Sequence, residues 1–205
     1  MNVLVLDAAS PQPAVALIAR GRVYEQRLPG DRRASEDLLP AVQRALADAG
    51  LTLSACERIA VCAGPGSFTG LRVGLATAWG LGRGLGIAVE PVSTLEAMAE
   101  TARLDGASRV VAVLDAGRGE AVCERFALEG DRARSLGPAT LVRTEEVAGF
   151  AAGDRLIDLK DERAGSAAAA LAAAVSRRPK QPDAAGASAA IYSRPSAAEE
   201  KRGAP

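Results

Sequence analysis

An α/β fold is predicted by three features of this 205-residue sequence. Short apolar runs of strand length alternate with longer stretches of helical period. One such run, Ile59–Cys62, passes through a Gly-rich turn straight into a long helical pattern. The second half then starts as the first does, with strands before helices, although no residue-level repeat is visible.

The elements follow in order. Val3–Leu6, Ala14–Ala19 and Val23–Leu28 read as strands, separated by Pro11-Gln12-Pro13 and by Gly21. Ser35 is placed to cap a helix whose first residues, Glu36 and Asp37, suit a helix N-terminus. Leu38, Leu39, Val42, Leu46 and Ala49 recur at helical spacing, with Pro40 slightly deep for a first turn and Gly50 as the stop. After Ile59–Cys62 comes the loop Gly64-Pro65-Gly66-Ser67-Phe68-Thr69-Gly70, then a helix from about Leu71 to Leu85. Ile87–Val92 is a further strand, Ser93 or Thr94 caps a helix through Ala102, and Asp105-Gly106 closes it. Val110–Leu114 and Glu120–Leu128 are strands around the bend at Asp115–Gly119. A third strand near Ala139–Val142 precedes a helix opened by Thr144-Glu145-Glu146, and Ser166–Val175 is an Ala-rich helix of little apolar bulk. These elements divide the chain into an N-terminal lobe, 1–105, and a smaller C-terminal lobe, 106–195, followed by a flexible tail, 196–205.

Composition narrows the chemistry. Hydrophobic residues are 48% and aromatics 3%, so the core must be assembled from Ala, Val and Leu. Lys+Arg and Asp+Glu are 25 each, without the basic excess that phosphate contacts demand of a nucleic-acid binder. The N-terminus has no positive region before its apolar run, and Arg72 and Arg83 interrupt the apolar stretch after Gly70; a cytoplasmic protein without a signal peptide or membrane span is expected. Three cysteines, Cys56, Cys62 and Cys123, are read as buried reduced thiols, being too few and wrongly spaced for disulfides or zinc. There is no histidine. That removes the Ser-His-Asp and Cys-His triads and the H-E-x-x-H zinc motif, and leaves carboxylate or lysine chemistry.

The Gly-rich turn invites comparison with phosphate cradles, where free N–H groups and the helix dipole attract anions. A P-loop needs Lys-Ser/Thr after its last glycine, and Gly70 is followed by Leu71-Arg72. The dinucleotide fingerprint G-x-G-x-x-G is also missed, since the spacing is Gly64-x-Gly66-x-x-x-Gly70, with only Glu90 about twenty residues on. Gly70 and Gly74 lie four apart, and Gly80, Gly82, Gly84 and Gly86 follow. Helical glycine costs up to about 1 kcal/mol relative to alanine, so several of them imply a close approach to another element. A helical wheel puts Leu71, Leu75, Ala78, Leu81 and Leu85 on one face and Arg72, Ala76, Trp79 and Arg83 on another. Trp79, between two arginines, is read either as an interface anchor or as a half-buried side chain with arginines stacked on it.

Asp7 ends the first strand, before Ala8-Ala9-Ser10, and Asp115 ends the corresponding strand of the second half. Carboxylates there could hold Mg²⁺ near nucleotide phosphates; alternatively each bonds the amides of its own turn. Neither is followed by the hydroxyl-and-glycine turn that such enzymes use. The run Lys160-Asp161-Glu162-Arg163 is read as a solvated loop.

Ala63–Gly82, AGPGSFTGLRVGLATAWGLG, resembles the bacterial TsaB (YeaZ) family, whose members take part in making threonylcarbamoyladenosine on tRNA. VLVLDAASPQPAVAL, SEDLLPAVQRALADAG, PVSTLEAMA, VLDAGRGEAVCERF and AIYSRP extend the resemblance over most of the chain, residues 150–188 excepted. It implies an actin-like ATPase (ribonuclease H-like) fold of two lobes with a degenerate nucleotide site. It also implies a non-catalytic chain that docks a TsaD-type catalytic subunit through N-lobe helices, joined by a TsaE-type ATPase, with tRNA touched indirectly. On this basis the docking surface falls on Leu38, Leu39, Val42 and Leu46 of the first helix, and on Gly70, Leu71, Arg72, Gly74, Leu75, Ala78, Trp79 and Arg83 of the second. No cofactor of its own is implied, ATP and Mg²⁺ entering only at the level of the complex, with Asp7 the one residue placed to touch a nucleotide. The sister catalytic family holds its metal with a His-x-x-x-His motif, which this chain cannot supply. Departures from the family pattern are Ala34 where histidine is usual, Ala8 where threonine is common, and Trp79 where lysine is usual. Two rival readings remain: an ATP-dependent small phosphotransferase using Asp7 and Asp115, and a self-associating module whose docking helix pairs with its own copy as a homodimer.

Overall fold

The computed structural model describes residues 1–29, 34–159 and 166–178, side chains of 104 and 105 apart. Its first sheet is built from β1 (Val3–Asp7), β2 (Ala14–Ala19), β3 (Arg22–Arg27), β4 (Arg58–Cys62) and β5 (Val89–Val92), in the order β3-β2-β1-β4-β5. β1, β2 and β3 form an antiparallel meander, with Val5 opposite Ala16, while β4 and β5 continue parallel to β1, with Leu4 opposite Ile59 and Ala60 opposite Glu90. This is the actin-like, ribonuclease H-like α/β topology.

The unbroken apolar run of β1 follows from its central place, with both faces covered. Leu4 and Leu6 point to the side of α1 (Ala34–Asp48) and α2 (Phe68–Leu85), and Val3 and Val5 to the opposite side. That opposite side is covered by α3 (Thr94–Thr101) and by the last described helix, an Ala-rich one at Ala167–Arg177. The Ala-rich helix, expected in the second lobe, therefore lies on the first sheet. Ala167, Ala168, Ala172 and Ala174 are fully buried, and their small side chains let the helix lie close to β1 and β2.

The second sheet holds β6 (Arg109–Gly117), β7 (Glu120–Ala127), β8 (Arg134–Ser135), β9 (Thr140–Arg143) and β10 (Arg155–Ile157). β10 runs parallel to β6, β7 pairs antiparallel with β6, and both β8 and β9 pair with β7. A short α4 (Val147–Ala151) packs on its outer face, so the Ala-rich helix is α5. The expected Asp115–Gly119 bend is tighter: β6 extends to Gly117 with a bulge between Asp115 and Gly117. The first sheet ends at Val92 and the second begins at Arg109, on either side of residue 105, but one core runs through both, from Val3 and Val5 through Leu95 and Met98 to Val110, Phe126 and Leu171.

Two local expectations shift, and the choice of cap for α3 is settled. α1 is already helical at Ala34, so Ser35 lies inside its first turn instead of capping it. α2 begins at Phe68, not Leu71, because the Ser67 side chain caps it by accepting from the Gly70 N–H at 3.2 Å. Ser93 caps α3, accepting from the Glu96 N–H at 3.5 Å. The 196–205 tail, the 160–163 charge run and the AIYSRP segment lie outside the described residues. No helix among the described residues is long and apolar enough to cross a membrane.

Candidate functional site

The Gly-rich turn and the end of β1 form one stitched unit. Asp7 is fully buried, and its Oδ1 accepts the N–H groups of Ala9 and Ser10, both at 3.0 Å. The Ala9 carbonyl accepts the Ser67 N–H at 3.0 Å, and the Gly64 N–H donates to Thr94 Oγ1 at 3.2 Å. The N–H groups of Gly64, Ser67 and Gly70, which a phosphate would need, are thus already donated within the chain. A Cβ at Gly70 would sit on the Ala8 carbonyl, 2.8 Å from its carbon, and one at Gly66 would lie 2.9 Å from the Ala9 carbonyl carbon. Glycine is required here so that the start of α2 can press against the turn after β1.

Burial raises the Asp7 carboxyl above its ordinary 3.8, although the Ser10 hydroxyl, the turn amides and the Cys62 thiol oppose the shift. Burial, then the charge of Asp7, lifts the Cys62 thiol well above its usual range. Asp7 Oδ2 is buried with no nitrogen or oxygen donor against it. A raised acid binds its proton more readily folded than unfolded. Its stabilising contribution is therefore complete below 3.8 and is lost as pH rises through the folded value. Asp7→Asn keeps the acceptor for the two turn amides and removes this loss. The variant is expected to match the parent's Tm in strong acid and to exceed it increasingly toward pH 7.5; a parent that gains on Asp7→Asn with rising pH would contradict this assignment.

Asp115 is exposed, and its Oδ1 accepts the Gly117 N–H at 2.7 Å. Each candidate carboxylate therefore closes its own turn. Cys56, Cys62 and Cys123 are free and buried. Among the described residues no cluster of three or more His, Cys, Asp or Glu side chains is arranged to hold a metal ion.

The residues expected to line the docking surface separate into two groups. Leu38, Val42 and Leu46 on α1 and Leu71, Leu75 and Ala78 on α2 are buried in the lobe's own core. An apolar stripe facing a sheet is covered by that sheet, and these six are unavailable to a partner in this fold. Gly70 and Gly74 also face inward, a Gly74 Cβ standing 3.6 Å from that of Ala8 and 3.7 Å from Val61 Cγ2. Ala8 at this contact keeps the turn and α2 close. The outward residues are Leu39 at 47% exposure, Arg72 and Arg83. Trp79 is half-buried against the α1–α2 side of the core, and Arg72 stacks over Phe68, 3.9 Å from the ring centroid, instead of over Trp79. Ala34, also half-buried, packs against the same core.

The exposed face of α2 carries Thr69, Arg72, Ala76, Gly80, Arg83 and Gly84. Nothing lies within 4 Å of a Cβ built at Gly80 or Gly84, and neither has a positive φ. Unlike Gly66 and Gly70, they serve no packing or turn requirement among the described residues.

Sequence reasoning missed a buried ion network at the far side of the first sheet. Arg58, 5% exposed at the start of β4, donates Nη2 to Glu90 Oε2 at 2.6 Å and Nη1 to the carbonyls of Val175 and Arg178 at 2.7 and 2.9 Å. Arg178 Nη2 lies 2.8 Å from Glu96 Oε1 and 3.8 Å from Glu100 Oε1. Glu100, on α3, also accepts from Arg103 and from the Ala133 N–H beyond β7. Burial raises Glu96 against the pull of Arg178. The only sequence sign was a charged residue at the head of an apolar strand; its partners lie 32 and 120 residues away.

Residues 30–192 match the family model described as TsaD, tRNA N6-adenosine threonylcarbamoyltransferase. The chain is 39% identical over 117 residues to the tRNA threonylcarbamoyladenosine biosynthesis protein TsaB of Haemophilus influenzae, covering 57% of this chain and 50% of that one. It is 40% identical over 121 residues to the protein of the same name from Escherichia coli, covering 58% of this chain and 52% of that one. The chain thus spans about half the length of these curated relatives. The solved structure of YeaZ from Pseudomonas aeruginosa superimposes with a TM-score of 0.65 at 34% identity, covering 69% of this chain and 67% of that one.

Proposed function

Because the chain belongs to the TsaB/YeaZ family, we propose that it is a non-catalytic scaffold subunit in tRNA threonylcarbamoyladenosine biosynthesis. It docks a TsaD-type catalytic subunit and supports threonylcarbamoyl transfer to adenosine 37 of tRNA. A TsaE-type ATPase joins the pair, tRNA contacts are indirect, and ATP and Mg²⁺ enter only with the complex. The docking face is the outward side of α2, with Leu39 of α1 beside it.

The carrying observation is the division of the α2 glycines, the inward set needed for packing and the outward pair, Gly80 and Gly84, meeting nothing among the described residues. An exposed helical glycine costs up to about 1 kcal/mol relative to alanine, and a partner backbone that must come close offsets that cost. The total lack of histidine supports a chain without a metal-holding His-x-x-x-His motif. The rival phosphotransferase needs Asp7 and Asp115 turned toward one nucleotide, and the turn amides each already binds weigh against it.

Gly80→Leu tests the docking face without disturbing the core. On mixing with the TsaD-type subunit from the same cell, the parent chain is expected to co-elute in size exclusion. Gly80→Leu, folded and with an unreduced Tm, is expected to elute alone. Equal co-elution of the variant would refute docking on this face. Calorimetric titration of the isolated chain with Mg·ATP discriminates the rival, which requires binding that Asp7→Ala abolishes.

A further inference from the structure

The chain crosses between its two sheets twice, once from α3 into β6 and once from β10 into α5. Two lobes joined in this way ordinarily open and close by pivoting at the crossings, where a few residues absorb the change in φ and ψ. Here each crossing carries a polar tie from one lobe to the other.

At the first crossing, Arg103 grips Glu100 of α3 with two nitrogens, Nε to Oε2 at 2.8 Å and Nη2 to Oε1 at 3.3 Å. Its Nη1 donates to the Leu128 and Gly130 carbonyls of the second lobe, at 3.2 and 3.4 Å. Glu100, 2% exposed, also accepts the Ala133 N–H of that lobe. Arg177 and Arg178 stand 3.6 and 3.8 Å from the same carboxylate. One buried group thus gathers α3, the end of α5 and residues 128–133. Swinging 128–133 away would strip two carbonyls and one amide of charged partners together.

At the second crossing, Gln12, in the turn after β1, donates Nε2 to the Leu159 carbonyl at 2.8 Å, two residues past β10. Leu159 has a φ of 53°, a left-handed conformation uncommon for a bulky residue. That bond and its own burial, 4% exposed in the core common to both sheets, hold it there.

The ties lie beyond opposite ends of β1. Gln12 follows the Asp7 end. Glu100 belongs to the Val3 end, where Arg58, opposite Val3 in the sheet, shares Glu90 with Arg178. A body held at one point can pivot. Held at two separated points, it turns only about the line joining them, and the packing of Leu95, Met98, Val110 and Phe126 across the two sheets opposes that turn.

We infer that these two ties are a hinge lock: Arg103–Glu100 with residues 128–133, and Gln12 with Leu159, fix the lobes as one rigid body with a cleft of constant width. The lock is a property of the single chain and is independent of the docking reading above.

Ala47 on α1 and Ala148 on α4 are exposed, and cysteines placed there can carry spin labels while Cys56, Cys62 and Cys123 stay buried. Pulsed dipolar spectroscopy of the full chain then reads the lobe-to-lobe distance. The parent is expected to give one narrow distribution, the same with and without Mg·ATP. Arg103→Gln/Gln12→Ala removes one tie at each crossing and leaves Glu100 its Ala133, Arg177 and Arg178 contacts. It is expected to broaden the distribution roughly twofold or more, each single variant broadening it less. In Arg103→Gln, amide exchange at Ala133 is expected to quicken roughly tenfold while β1 keeps its protection. A parent distribution that is broad or split, or that shortens with Mg·ATP, overturns the inference. So does a folded double variant as narrow as the parent; should the pair fail to fold, two single variants as narrow as the parent overturn it equally.

Discussion

Replacing Arg58 by methionine is expected to destabilise the protein by about 3–5 kcal/mol, the usual cost of removing one member of a buried ion pair. For a domain of this size that is a fall in Tm of roughly 6–20 °C. The guanidinium is 5% exposed and uses its planar fork on three acceptors at once, Glu90 Oε2 and the carbonyls of Val175 and Arg178. Methionine fills a similar volume but takes the guanidinium donor from both carbonyls at the end of α5, leaving that of Val175 only the Arg178 N–H at 3.2 Å. It also leaves Glu90, 15% exposed, with Arg178 Nη1 at 3.4 Å as its remaining cation. The loss is expected to be directional. Amide exchange should rise first at the C-terminal end of α5, which this side chain ties to the first sheet beside the packing of the helix, while β6 and β7 keep their protection. Arg58→Lys should recover only part of the stability, since an ammonium cannot reach all three acceptors in the fork geometry. In the double variant Arg58→Met/Glu90→Met the two losses should fall well short of additive, as expected for groups in direct contact. An Arg58→Met protein within about 1 kcal/mol of the parent, against the 3–5 expected, would show that the network holds nothing.

That network also marks where reading the sequence stops. Period and punctuation located both sheets, the Gly-rich turn and the buried face of α2, because apolar alternation and helix stops are local signals. Leu71, Leu75 and Ala78 are buried as their spacing required. The same spacing could not say what buries them, and with Leu38, Val42 and Leu46 they proved to be core instead of interface. Burial of a stripe is written in its own residues, whereas the identity of its cover is written elsewhere in the chain. The placement of α5 on the first sheet failed to show for a related reason: alanine-rich helices carry no bulky pattern that names a partner. β8, two residues long, and β10, three residues long, are too short to have a period. The Asp7 turn was legible as one of two alternatives, and the choice between them needed the Ala9 and Ser10 amides in place.

Alanine at Gly70 and alanine at Gly80 should move stability in opposite directions, although both residues are helical glycines ten positions apart on α2. At Gly70 the new Cβ would overlap the Ala8 carbonyl, with the Ser67 Cβ 3.3 Å away. The obstacle is backbone and not a flexible side-chain end, so relief requires α2 to withdraw from the turn after β1. Withdrawal would loosen the Ser67-to-Ala9 hydrogen bond at 3.0 Å and the Asp7 turn behind it. Overpacking of this kind costs about 1–3 kcal/mol and at times more. The upper part of that range is expected here, minus the small gain in helix propensity. At Gly80 no atom lies within 4 Å of the added methyl group, so only the propensity gain remains, up to about 1 kcal/mol in favour of alanine. Urea titrations of the two variants, with unchanged m-values, would measure both effects. A stabilised Gly70→Ala would mean that the turn and helix are free to part, and with them the claim that these glycines exist for close approach would fall. A Gly80→Ala chain that is more stable alone but binds the TsaD-type subunit less well would show the two sets of glycines answering to different neighbours, one inside the molecule and one beyond it.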